Sequence, residues 1–95
     1  MGEIKINRND ETSRYELTVD GKLAAFAQFI SASDVVIFPH TVTIPQFEGQ
    51  GLASQLIQKA MDDMKAAGNK VLPTCPFVAH WLTKHPDYAD LDYRK

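Results

Sequence analysis

Residues able to do chemistry gather in two short stretches. The first is Glu48-Gly49-Gln50-Gly51-Leu52-Ala53-Ser54. It stands between an apolar run, Val35-Val36-Ile37-Phe38, and a segment whose apolar residues recur at Ala53, Leu56, Ile57, Ala60, Met64 and Ala67. That recurrence is one buried stripe of a helix, and the apolar run reads as a buried strand. Two glycines therefore sit where a strand hands over to a helix N-terminus. Without a Cβ in the way an anion reaches the backbone, and the unpaired N–H groups and macrodipole of the first turn attract it. A tight turn needs glycine with or without a ligand, so both readings stand at this point. A nucleotide P-loop is excluded, because no Gly-Lys-Ser/Thr follows. A dinucleotide fingerprint fits poorly, because Ser54 occupies the place of its third glycine.

The second stretch is Thr74-Cys75-Pro76-Phe77-Val78. Cys75 is the sharpest nucleophile candidate, since a thiol beside a helix N-terminus lies in the positive end of the macrodipole, which favours thiolate. A lone cysteine is also commonly a small buried hydrophobe. His40, on the strand that leads to the glycine turn, is a candidate general base for Cys75 if the strands carrying them are neighbours. His80 and His85 follow Cys75, but a structural zinc needs four ligands and the chain offers no second cysteine, so no metal site is expected. His80 is expected near the pocket, about one helical turn past Cys75. Phe77, Trp81 and Leu82 carry core spacing. Tyr88 is a weak candidate for proton donation to a leaving thiolate. Lys59, Asp62, Asp63 and Lys65 read as a solvated helix face, and Glu48 is the carboxylate nearest the site.

The elements that must position these residues follow in order. Glu3 to Asn7 reads as a short strand, and Arg8 to Glu11 as a turn. Arg14 to Val19 alternates Tyr15, Leu17 and Val19 against Arg14, Glu16 and Thr18, the pattern of a half-buried antiparallel strand. Asp20-Gly21 is a hairpin signal. Residues 22–31 return, with Leu23, Phe26, Phe29 and Ile30 as the bulk, and residues 35–43 return again after Ser33-Asp34. Pro39 cannot donate a ladder bond, so a bulge or a splayed pair is expected there. The main helix spans about 51–67 with Gly68 as its C-cap. A fifth strand spans 70–74, and a second helix runs from Pro76 to about Lys84, ended by Pro86. The expected fold is α+β: a mixed, mainly antiparallel sheet of about five strands with a central β-α-β unit and two helices, the fifth strand parallel to the fourth.

With 95 residues the chain suits a single domain, 1–95. The net charge of −2, with no basic block, disfavours nucleic acid. No window is apolar enough for a membrane span, and the N-terminal segment does not read as a signal peptide. One cysteine allows no internal disulfide and suits a reducing, cytoplasmic setting.

A meander leading into Gly49-Gln50-Gly51-Leu52-Ala53 and a helix resembles the acetyl-CoA-binding core of the GNAT acyltransferase superfamily. The superfamily pattern (Arg or Gln, two residues, Gly, one residue, Gly or Ala) maps onto Glu48, Gly51 and Ala53, with Glu48 departing at its first position. His40-Thr41, the glycine turn, Thr74-Cys75-Pro76-Phe77-Val78 and Pro86-Asp87-Tyr88, in that order, are similar to the short single-domain subgroup, over about 16–93. The resemblance implies acetyl-CoA or coenzyme A as ligand and acetyl transfer to an amine. It implies a cofactor site of Thr41, Val42, Glu48, Gly49, Gln50, Gly51, Leu52, Ala53, Ser54, Cys75, Phe77 and His80. The pyrophosphate would lie on the N–H groups of Gln50 to Ser54, and the pantetheine arm where strands four and five splay. Cys75 would face the thioester, either accepting the acetyl group or lining the pocket, with His40 as its catalytic partner. The competing reading is a CoA-binding or interaction module with little catalysis. The acceptor is an unidentified small-molecule or protein amine, and the chain is expected to be a monomer or weak homodimer.

Overall fold

Period-two alternation and tight turns build the first half of the chain. A computed structural model describes residues 2–94. Four strands, β1 (Ile4–Asn9), β2 (Arg14–Val19), β3 (Lys22–Ala32) and β4 (Val35–Thr43), pair antiparallel in chain order. A 3-10 turn, Pro45–Phe47, leads to helix α1 (Leu52–Ala67). Strand β5 (Lys70–Leu72) then adds to β4 in parallel, and helix α2 (Pro76–Lys84) and a 3-10 segment, Pro86–Leu91, complete the order. This is the α+β arrangement read from the sequence. β1 continues through Arg8 and Asn9, which the sequence reading assigned to a turn, because they pair with Tyr15 and Arg14.

The β2–β3 hairpin turns on Asp20 (φ 51°) and Gly21 (φ 83°), the two left-handed residues that a two-residue hairpin needs to match strand twist. The register of β3 slips opposite Leu17/Thr18, so Ala24 is an extra residue there. Beyond this bulge Ala25, Ala27 and Phe29 face the core, while Phe26 and Ile30 take the opposite face. Leu23, Phe26 and Ile30 are therefore not core. Phe26 instead lies under the guanidinium of Arg14, 4.4 Å from its ring centroid.

α1 lies on the core face. Its buried stripe is Leu52, Leu56, Ile57, Ala60, Met61 and Met64, packed against Tyr15, Leu17, Phe29 and Phe38 of the sheet and Val78, Trp81 and Leu82 of α2. Gly68 (φ 74°) ends it, its N–H bonding Lys65 O while Asn69 N bonds Met64 O, the paired C-cap of a Schellman motif. β5 stops at Leu72, two residues short of the expected end, because Pro73 has no N–H for the ladder.

Tyr15 is fully buried and donates its hydroxyl to Asp63 of α1 at 3.0 Å. Burial, then the Asp63 bond, push the phenol from 10 up to about 12. Between these values the unfolded chain has lost this proton and the folded chain has kept it, so stability falls as pH rises. Alkaline denaturation followed from pH 9 to 12 should show this decline, and Tyr15→Phe should flatten it. An unchanged pH profile in that variant would remove the assignment to Tyr15.

Candidate functional site

The site is built where β4 loses its neighbour. Between the pairs Gln28–His40 and Ile30–Ile37, one residue of β3 faces two of β4, Phe38 and Pro39. This is the bulge expected from Pro39. The pairing with β5 ends at Ile37–Leu72. Beyond it, Cys75 N–H bonds the Phe38 carbonyl at 2.9 Å and the chain turns into α2, leaving the rest of β4 without a β5 partner among the described residues.

The bulge also reverses which backbone groups face the opening. Before it, Asp34 O accepts Lys70 N–H, so even-numbered residues of β4 point toward β5. After it, Ile44 N–H bonds Ala24 O on β3, so even-numbered residues point the other way. By strand alternation the N–H and C=O groups of Thr41 and Thr43 then face the opening. The side chains of Thr41 and Cys75 meet there, Sγ to Oγ1 at 3.6 Å, with Cys75 only 6% exposed.

The opening continues into a hollow of about 270 Å³ lined by Thr43, Phe47, Glu48, Gly49, Gly51, Leu52, Ala53, Ser54 and Phe77. Gly51 caps α1 in a left-handed conformation (φ 71°), with no side-chain cap and no acidic residue in the first turn. The first bonded amide of the helix is that of Gln55, to Gly51 O. The N–H groups of Leu52, Ala53 and Ser54 thus have no helical partner, and nothing in the first turn neutralises the dipole. A second hollow of about 250 Å³ adjoins through Ser54 and Phe77 and is lined further by His80, Trp81, Lys84 and His85. The two hollows form one groove, with the unpaired N–H groups of the α1 N-terminus and Glu48 in the first and Lys84 in the second.

Of the residues named from sequence, the structure brings Glu48, Gly49, Gly51, Leu52, Ala53, Ser54, Phe77 and His80 to the groove, and Thr41 to Cys75. Phe77 is 39% exposed in the groove rather than core, the core position of that helical turn being Val78. Gln50 is exposed and lines neither hollow. His40 and Val42 are not brought to Cys75. Thr41 faces Cys75, so alternation turns its two neighbours to the opposite face of the sheet, beside Gln28 and Phe26. Tyr88 donates its hydroxyl to Asp62, and that bond raises its pKa. It is tied to α1 rather than poised as an acid. Among the described residues, no cluster of three or more His, Cys, Asp or Glu could hold a metal ion, and no helix is long and apolar enough to cross a membrane.

Thr43, Phe47, Trp81, Lys84 and His85 join the site without having been named for it. Thr43 shares a face with Thr41 by the two-residue period. Phe77, His80, Trp81 and Lys84 recur at i, i+3, i+4 and i+7, a helical stripe that sequence alone displays.

The profile of a family described as GCN5-related N-acetyl-transferase matches residues 14–91. Among solved structures, the solution structure of a GCN5-like protein from Staphylococcus aureus is similar to this chain with a TM-score of 0.74 and 19% identity, over 97% of this chain and 90% of that one. The crystal structure of the ribosomal-protein-S18-alanine N-acetyltransferase from Escherichia coli superposes with a TM-score of 0.66 and 20% identity, over 80% of this chain and 52% of that one. At these identities the likeness is one of fold. No curated protein matches the sequence. The family match spans most of the chain, and the groove lies within it: the chain belongs to the GCN5-related N-acetyltransferase family.

Proposed function

We propose that this chain binds acetyl-CoA in the groove and transfers the acetyl group to an amine. The observation that carries the reading is the opening between β4 and β5, which runs directly into the uncapped N-terminus of α1. The pyrophosphate rests on the N–H groups of Leu52, Ala53 and Ser54. The pantetheine arm lies along Thr41 and Thr43, whose backbone groups take the place of a strand partner for its amides. The adenosine end points to the second hollow, where Lys84 supplies a cation. The thioester then reaches Cys75.

In direct transfer the amine attacks the thioester carbonyl, the C–N bond forms as the C–S bond breaks, and the leaving coenzyme A thiolate takes up the proton that the amine loses. The chain contributes position and backbone polarisation of the carbonyl. In the covalent route Cys75 sulfur first takes the acetyl group and releases coenzyme A, and the amine then displaces Cys75. The burial of Cys75, whose thiol bonds only Thr41 among the described residues, favours the direct route with Cys75 as pocket wall. Cys75→Ala should therefore keep transfer within about tenfold in steady-state assays, whereas loss of a true nucleophile costs on the order of a thousandfold or more.

The same lack of a bonded base at Cys75 favours a second reading, a CoA-binding module with little turnover. Calorimetric binding of acetyl-CoA together with thiol release across a panel of amines decides between them. Binding without release supports the module. Absence of both removes the cofactor reading.

A further inference from the structure

The Ser54 side chain carries an asymmetry that the backbone cradle does not explain. Its Oγ accepts the indole N–H of Trp81 at 3.1 Å. An indole nitrogen only donates, so the Ser54 oxygen serves as acceptor and its own proton remains to be given. Within a helix a serine can give that proton to the carbonyl four residues back. Among the described residues, Ser54 donates to no protein group. Ser54 and Phe77 line both hollows, and Ser54 is the polar one of the two.

Trp81 is held firmly enough to impose this direction. It is 4% exposed, and His85 stacks on its ring at 3.7 Å between centroids with 12° between planes. The Nδ1 of His85 lies 2.7 Å from the Trp81 carbonyl oxygen. Tyr88 packs against the indole edge-on at 5.1 Å, and its hydroxyl is bonded to Asp62 of α1. The indole thus links α2 to the first turn of α1 through one directed bond.

We propose that Trp81 is a positioning residue: its indole N–H orients the Ser54 hydroxyl so that Ser54 donates into the groove, to a phosphate oxygen where the two hollows join. This rests on the proposed acetyl-CoA site. It adds a side-chain donor, set by α2, to the three backbone donors set by α1. The anion is then read by both helices, and the indole acts on the ligand only through Ser54.

The test compares coenzyme A with pantetheine, which lacks the phosphates, on the full chain by amide chemical-shift titration. Trp81→Phe keeps the ring and removes the N–H. It should weaken coenzyme A about three- to tenfold and leave pantetheine unchanged. Ser54→Ala should do the same, and the double variant should be no weaker than Ser54→Ala alone, because residues acting through one bond are not additive. Ser54→Thr, which keeps the hydroxyl, should bind as the parent chain does. Equal weakening of both ligands, additive losses, or full affinity in Trp81→Phe overturns the positioning role while leaving the cofactor site standing. If the parent chain binds no coenzyme A, the site and this inference fall together. If Trp81→Phe does not fold, the Ser54 variants still decide: loss in Ser54→Ala restored in Ser54→Thr supports the donor, and no loss removes it.

Discussion

Gly51→Glu should reduce coenzyme A affinity at least a hundredfold while the chain still folds. Gly51 caps α1 at φ 71°, and a Cβ built there meets nothing within 4 Å. Two effects are thereby separable. The left-handed backbone costs any L-residue with a Cβ about 1–2 kcal/mol. The open space on the groove side lets a carboxylate extend to where a phosphate would sit. Hydrogen bonds to charged groups contribute about 1.5–3 kcal/mol each, and about 1.4 kcal/mol is tenfold in affinity. Two lost phosphate bonds with like-charge repulsion therefore exceed a hundredfold. Gly51→Ala isolates the backbone cost: it should lower stability by about 1–2 kcal/mol with affinity changed less than about tenfold. Calorimetry and urea melts on both variants read the two numbers. Undiminished affinity in Gly51→Glu would mean that the first turn of α1 does not hold the anion.

The glycine turn was legible in the sequence because its physics is local. Two glycines before a helical stripe, and one after it, are positions where the backbone needs φ above zero, and Gly49, Gly51 and Gly68 all adopt it. Pro39 was legible for the same reason, since a residue without an N–H disturbs a ladder wherever it sits. What the sequence did not show is what the disturbance does. Phe29 facing both Phe38 and Pro39 changes which backbone groups of β4 look toward β5. From the sequence, His40 is a partner for Cys75 on the condition that the strands leading to them are neighbours. Adjacency holds, but whether His40 or Thr41 faces the thiol depends on one extra residue in the strand.

Size misled where a bulge intervened. Leu23, Phe26 and Ile30 have the volume of core residues, and Ala24, Ala25 and Ala27 do not. The three alanines are nevertheless fully buried, and Ile30 is 51% exposed. The small residues let α1 approach the sheet closely enough for Tyr15 to reach Asp63. Large residues on one strand cannot announce that the helix above needs room. The second hollow was missed for a related reason. A stripe of Phe77, His80, Trp81 and Lys84 looks like any helix face until α1 is placed beside it. Trp81 then proves to be buried and directed at once, its ring in the core and its N–H on Ser54.

Phe38→Ala should produce the largest loss of stability of any single truncation near the site. Phe38 is fully buried in a triangle of rings, 6.4 Å from Tyr15 and 6.3 Å from Phe29 between centroids. Removing a buried phenylalanine ring costs about 3–5 kcal/mol, because the transfer energy is lost and a cavity remains. A chain of this size has a total stability of only about 5–15 kcal/mol, and each kcal/mol moves the melting midpoint by about 4–8 °C. The midpoint should therefore fall by more than about 12 °C. The carbonyl of the same residue accepts the Cys75 N–H, and the Thr74 hydroxyl at 3.5 Å. That bond belongs to the backbone and survives the substitution, so at low temperature the folded fraction should keep the Cys75–Thr41 contact and much of its affinity for coenzyme A. Excess ligand should then recover part of the midpoint by mass action, about 2.7 kcal/mol at a hundred times its dissociation constant. A small loss of stability would show that neighbouring side chains collapse into the space. A large loss without ligand recovery would show that the ring, and not the backbone bond, holds β4 and the N-terminus of α2 in the geometry that opens the groove.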